Sequence, residues 1–276
     1  MKQKSFDVLG NIAVVNFPRN SNSRHRSVYT LKGTSPKLLS AGAKKKFAEK
    51  LMKEQKQIKT VLEKVGKIKG RLRKITTKYI AGEKTNEVLY KENNCSFRFN
   101  VDTTYFSPRL SNERIEIANK IKKNESVFVM FAGVAPFSIV IAKNSKAKIV
   151  YSNEINREAN KYAELNINLN KLKDKIKLVN GDIKKVVKKF NKKVDVVVMP
   201  RPQLKDTFLK QACQISKKGT RIYYYDFCKV GEEKLVVERI QKEVRECGKK
   251  VKILKVKKAG EIAPYKIRVR VDFKIL

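Results

Sequence analysis

A seven-residue run, Phe131-Ala132-Gly133-Val134-Ala135-Pro136-Phe137, stands between an apolar stretch and a helical one. A single glycine at that point lets backbone approach a ligand closely, and Pro136 suits the first turn of the helix that follows. Glu154 lies 21 residues beyond Gly133, at the end of the next apolar stretch, where an acidic side chain meets ribose hydroxyls in nucleotide-type folds. Asp182, closing Leu178-Val-Asn-Gly-Asp, is suited to an adenine amino group, and a fourth apolar stretch ends in Met199-Pro-Arg-Pro202. The expected cofactor contacts are Phe131, Ala132, Gly133, Val134, Pro136, Glu154, Ile155, Asp182, Ile183 and Pro200. There is no G-x-G-x-x-G run of the kind a dinucleotide pyrophosphate requires, so a ligand with ribose and adenine but no phosphate fits best. S-adenosylmethionine is such a ligand. The competing reading is a glycine turn in a parallel sheet with incidental acids at its strand ends.

These residues need a scaffold that brings successive strand ends to one edge. From about Ser111 the chain alternates helical stretches with short, continuously apolar ones, the pattern of a parallel sheet covered on both faces. Strands are expected at 126–130, 148–152, 176–179, 194–199 and 221–226, closed by an antiparallel pair at 251–256 and 266–275. In the last, Ile267, Val269, Val271, Phe273 and Ile275 alternate with Lys266, Arg268, Arg270, Asp272 and Lys274, which reads as a strand with one wet face. Upstream, a smaller α+β unit is expected, with a strand over 8–17, a polar loop from Pro18 to Gly33, a helix over 42–64 carrying Phe47, Leu51 and Ile58, and strands at 87–92 and 95–101 around Asn93-Asn94. The expected division is 1–108, a smaller α+β unit, and 109–276, a Rossmann-like α/β domain with a mostly parallel sheet.

The chain has 65 Lys+Arg against 26 Asp+Glu, a net charge of +39 over 276 residues, distributed from end to end. A polyanion is the expected partner, and charge carried on folded structure favours nucleic acid over a membrane. No stretch is long and apolar enough for a spanning helix, and the first residues lack a signal-peptide apolar region, so a cytoplasmic protein is expected. Four cysteines, at 95, 213, 228 and 247, share no C-x-x-C spacing, and the one histidine, His25, sits in a polar stretch. No metal site is expected, and hydrolytic triads and metal hydrolases are excluded.

The ordered set Tyr105-Phe-Ser-Pro-Arg-Leu-Ser-Asn-Glu-Arg114, then FAGVAPF, then MPRP resembles the archaeal and eukaryotic tRNA guanosine-37 N1-methyltransferase family, whose sister members act in wyosine synthesis. The likeness extends to SFDVLGNIAVVNF at 5–17 and IKTVLEKVGKIKGRLR at 58–73. It implies a class I (Rossmann-like) methyltransferase domain over 109–276, preceded over 1–108 by a domain that faces RNA and caps the site, with S-adenosylmethionine as donor and, as partner, the tRNA anticodon loop with its purine 3′ to the anticodon. It also implies Glu113 as general base at guanine N1, Arg73 as donor to O6 and Tyr105 as a positioning residue. The chemistry asks for this set: N1 carries a hydrogen that must leave, and charge then builds on O6. Arg109, Arg201 and Pro202 are expected to contact the substrate. Against these roles stand a helix-dipole explanation for Glu113, a surface cation for Arg73 and strand-edge core for Tyr105 and Phe106.

Three positions depart from the family pattern: Val129 replaces an aspartate, Ala135 a second glycine and Pro200 an asparagine. Longer members carry a further N-terminal module at the tRNA elbow, which this chain is expected to lack, and a monomer is expected. Alternatives are a wyosine-pathway enzyme, by C7-methylation of a tricyclic intermediate or aminocarboxypropyl transfer, and a basic RNA-binding protein with a vestigial cofactor site.

Overall fold

Residues 6–17, 39–66, 70, 72 and 74–276 are described by a computed structural model. They fall into two compact units, one up to Tyr90 together with Arg98–Thr103, the other Lys91–Phe97 together with Thr104–Leu276. The sequence reading puts the division at 108/109. In the structure residues 91–97, the tip of a hairpin, belong with the second unit. Its two strands, β5 (Glu87–Glu92) and β6 (Cys95–Asn100), turn at Asn93 and Asn94, whose φ of 47° and 59° is what asparagine tolerates best after glycine.

In the first unit the expected strand over 8–17 is a hairpin of β1 (Phe6–Leu9) and β2 (Ile12–Val15). Gly10 makes the turn at φ 56°, and a Cβ there would sit 1.7 Å from the Leu89 carbonyl oxygen. The expected helix over 42–64 is also divided. Helix α1 (Ala41–Glu54), capped by Ser40, stops short of Gln55, and Thr60–Lys64 becomes strand β3. The β-branched, apolar Thr60-Val61-Leu62 is buried in a sheet of order β1-β2-β3-β4, whose last strand, β4 (Thr77–Gly82), the sequence did not announce. The expected loop at Pro18–Gly33 and His25 lie outside the described residues.

The second unit holds a seven-stranded sheet. Its strands are β7 (Ser126–Val129), β8 (Ile149–Glu154), β9 (Ile176–Asn180), β10 (Val194–Met199), β11 (Ser216–Lys229), β12 (Val251–Ala263) and β13 (Lys266–Ile275), in the order β12-β13-β11-β10-β7-β8-β9. From β9 to β11 neighbours are parallel; β13 runs antiparallel between β11 and β12. Between them come α2 (Ser111–Asn119), α3 (Pro136–Asn144), α4 (Arg157–Leu169), α5 (Ile183–Lys189), α6 (Leu209–Ile215) and α7 (Glu233–Glu246). The strand order reverses between β7 and β10, and ligands of open α/β sheets bind outside the carboxyl ends at such a point. The hairpin tip is tied into this unit: Asn170 accepts from Ser96 N at 2.9 Å and donates to its carbonyl at 2.7 Å, and Arg114 forms a buried ion pair with Glu92.

One expectation about β13 is overturned. Its polar alternation marks a face that is wet only toward the ends: Lys274 is exposed and Lys266 and Arg268 half-buried, but Arg270 is 0 % and Asp272 3 % exposed. The strand lies inside the sheet, and carboxylates of α2 meet that face. Among the described residues no helix is long and apolar enough to cross a membrane.

Candidate active site

The loop after β7 is held by its own backbone. Phe131, Gly133 and Ala135 are all left-handed, at φ 56°, 59° and 66°. Met130 N–H donates to Val198 O (2.9 Å), Ala132 N–H to Asn153 O (2.8 Å), and the buried Asn166 amide to Val134 O (3.2 Å). Glu154, the last residue of β8, closes the arrangement. Its Oε2 accepts from Gly133 N–H at 2.8 Å, and its Oε1 from Ile155 and Asn156 N–H at 2.8 Å each. Asp182 caps α5 through Lys184 N–H at 3.0 Å, and Asn153 ties that turn to β8 by donating to Val179 O and Gly181 O.

Phe131, Gly133, Glu154, Ile155 and Asp182 are half-buried around these strand ends, whereas Ala132, Val134, Pro136 and Ile183 are buried and shape the loop from below. This set fits S-adenosylmethionine in its chemistry: the half-buried Glu154 carboxylate stands at the strand end beside a loop whose backbone comes close through Gly133. Ala135 occupies a left-handed position that favours glycine, and Val129 is fully buried.

The segment 105–107 belongs to no strand, contrary to the strand-edge reading. Tyr105 is half-buried, with its carbonyl oxygen 3.3 Å from where a Gly133 Cβ would stand, so it runs over the glycine loop. Phe106 is buried beneath the Arg114 guanidinium, 5.0 Å from its ring. A 3-10 turn at Pro108–Leu110, with Arg109 exposed, leads into α2.

Glu113, in the first turn of α2, is 5 % exposed. Its partners are side chains from across the sheet. Oε2 accepts from Arg270 Nη1 at 2.6 Å and from the Tyr225 hydroxyl at 2.9 Å, and Oε1 accepts from Lys257 Nζ at 2.9 Å. Arg270 also binds Glu116 at 2.6 Å and Asp272 at 2.7 Å, and Lys257 pairs with Glu116 as well. Burial, and then the Glu113 charge, push the Tyr225 phenol well above its ordinary range, so it stays a donor. The hydrogen bond from Arg270 pulls the Glu116 carboxyl down to about 2. Sequence reading missed Tyr225, Lys257 and Arg270. The one signal was Arg270-Val-Asp272, two opposite charges two residues apart in the middle of a strand.

The motif after β10 corrects another expectation. Arg201 N–H donates to Met199 O at 2.7 Å, a γ-turn centred on Pro200, and Arg201 is 4 % exposed. Its guanidinium pairs with Asp226 and donates to the carbonyls of Leu204 (2.8 Å) and Asp206 (3.1 Å). It is turned into the fold, where it shapes the loop after β10, and does not face a substrate. Pro200 and Pro202 are half-buried, and Arg73 lies outside the described residues.

A sequence model described as the TRM5/TYW2 methyltransferase domain matches residues 88–256. The chain is 33% identical over 272 residues to tRNA (guanine(37)-N(1))-methyltransferase Trm5b of Pyrococcus abyssi, covering 98% of this chain and 74% of that protein. It is 38% identical over 182 residues, 66% of this chain and 60% of the relative, to tRNA (guanine(37)-N(1))/4-demethylwyosine(37)-methyltransferase Taw22 of Nanoarchaeum equitans. The crystal structure of P. abyssi Trm5b superposes with a TM-score of 0.81 at 31% identity, covering 98% of this chain and 74% of that one. The complex of aTrm5 and tRNALeu does so at 0.79 and 28%, covering 99% and 72%. With the strand order, the glycine loop and the match over 88–256 in agreement, the chain belongs to the TRM5/TYW2 methyltransferase family, whose members depend on S-adenosylmethionine.

Proposed function

We propose that this chain methylates N1 of guanosine 37 in tRNA. The observation that carries the reading is the 33% identity, over 98% of the chain, with a protein named for that reaction. Bound at the glycine loop, S-adenosylmethionine supplies a methyl group on a positive sulfur. Glu154 accepts from a ribose hydroxyl: a carboxylate accepts about four hydrogen bonds, and backbone N–H groups use three, which leaves one. Asp182 receives the adenine amino group. Glu113 takes the proton from N1, Arg73 donates to O6 as charge gathers there, and Tyr105, lying over Gly133, keeps the base against the donor. Arg109 meets the RNA backbone, Pro202 the base, and the excess of 39 positive charges holds the tRNA by neutralising phosphates.

A second activity, C7-methylation of a tricyclic wyosine intermediate, draws support from the N. equitans relative named for both reactions. Mass spectrometry of nucleosides from unmodified tRNA incubated with the protein and donor tests both. N1-methylguanosine at position 37 is the expected product. An unmodified guanosine, with methylation of the tricyclic base alone, would put the second reading first, and failure to bind donor would leave only an RNA-binding protein.

A further inference from the structure

Glu113 is buried with its charge already compensated, and its three partners differ in one respect. Arg270 and Tyr225 are 0 % and 1 % exposed and both hold Oε2, whereas the Lys257 side chain, 34% exposed on the edge strand β12, holds Oε1. The Lys257 ammonium also has a second carboxylate in reach, since it pairs with Glu116. Arg270 cannot shift in this way. Fully buried, it spreads its donors over Glu113, Glu116 and Asp272. Charge arithmetic supports the distinction: Glu113, Glu116 and Asp272 face Arg270 and Lys257, with Lys120, just past α2, 3.9 Å from Asp272.

We propose that Lys257 is a displaceable counter-ion for Glu113: it covers Oε1 at rest and withdraws to Glu116 when the target base arrives, while Arg270 and Tyr225 keep Oε2 fixed. This rests on Glu113 being the general base. N1 forms its bond to the methyl group as the bond from that carbon to the donor sulfur breaks, the electron pair staying on sulfur as a neutral thioether; the N1–H bond breaks with it, the proton passes to Oε1, and Lys257 completes its charge balance on Glu116. Lys257 and Glu116 are thus positioning residues, acting through Glu113. Glu116 is built for the part, because Arg270 holds it ionised far below neutral pH, down to about 2. The groups that bind Glu113 are Tyr225 on β11, Lys257 on β12 and Arg270 on β13; behind them stand Glu116 on α2, Asp272 on β13 and Lys120 just past α2.

The test is the pH dependence of the single-turnover rate at saturating tRNA and donor, with melting temperature and tRNA dissociation constant recorded for each variant. Lys257→Met removes a cation beside a carboxylate, so the acidic limb of the profile moves up by about one pH unit or more. Glu116→Gln leaves Lys257 without its second carboxylate partner, so it stays on Glu113 and the plateau rate falls about 10-fold, a part of the roughly 100-fold or more that general-base catalysis supplies. In the double variant Lys257→Met/Glu116→Gln the plateau rate recovers, because there is no ammonium left to relocate. A purely structural pair would lower the melting temperature, leave the profile in place and give a double variant no better than Glu116→Gln, and that result overturns the proposal. If Glu113→Gln is itself fully active, the general-base reading has failed and this one with it. If Glu113→Gln is inactive while the Lys257 and Glu116 profiles are unmoved, only the counter-ion has failed.

Discussion

Two carboxylates of the candidate site, Glu154 and Glu113, are held in contrasting ways. Glu154 is gripped by three neutral backbone N–H groups at 2.8 Å, two of them from the residues that follow it and the third from the glycine loop. Glu113 is gripped by a guanidinium, an ammonium and a phenol drawn from three strands. Neutral donors leave a carboxylate its full charge, which suits a group that must accept a hydrogen bond from a ribose hydroxyl and stay ionised throughout. Cationic partners compensate the charge and can be exchanged among carboxylates, which suits a group that must take up a proton and release it. The contrast also separates local from global construction: Glu154 is supported within one strand–helix–strand unit, Glu113 by residues as far away as Arg270 in the last strand.

The contrast breaks most visibly in stability. Arg270→Met strands Glu113, Glu116 and Asp272 without their shared cation, and removing one partner of a buried pair costs about 3–5 kcal/mol. Chemical denaturation is expected to show a loss of that size, and a loss under about 1 kcal/mol, the worth of an exposed pair, would mean the network is solvated. Glu154→Ala comes next. Its stability cost is small, because the three backbone donors can turn to water, but donor binding weakens by about 1.5–3 kcal/mol, the worth of a hydrogen bond to a charged group. Unchanged affinity by calorimetry would reject the ribose assignment.

The smallest effect concerns the loop itself. Ala135 sits at φ 66° and ψ 32°, where an L-residue is strained by roughly 1–2 kcal/mol. Ala135→Gly relieves that strain and adds about 0.4–1 kcal/mol of unfolded-state entropy. A small rise in melting temperature is expected, and a marked fall would show that the buried Ala135 methyl group contributes more by packing than its backbone loses.

What was legible in the sequence follows the same division. The spacing from Gly133 to Glu154 is set by one βαβ crossover, so both ends of that hydrogen bond could be named from the chain. Asn93-Asn94 announced its turn because asparagine tolerates positive φ. Arg270 and Lys257 could not be named, because their pairing with Glu113 is a tertiary fact. A strand that alternates polar and apolar residues also reads as half-solvated until a helix is known to cover it. Arg201 was misjudged for a similar reason, as nothing in Met199-Pro-Arg-Pro202 reveals that Asp226 waits inside the sheet. Helix α1 was drawn too long because Gln55–Lys59 carries no glycine or proline to mark the break.

The central claim is that Glu113 accepts the N1 proton, and Glu113→Gln tests it most directly, since the amide keeps the shape of the carboxylate but cannot take the proton. With tRNA and donor saturating, the single-turnover rate is expected to fall at least ~100-fold, to recover in part as rising pH removes the N1 proton without help, and to leave both dissociation constants nearly unchanged. A Glu113→Gln protein that turns over at the unsubstituted rate would contradict the account and return Glu113 to a structural part in the ion-pair network with Arg270.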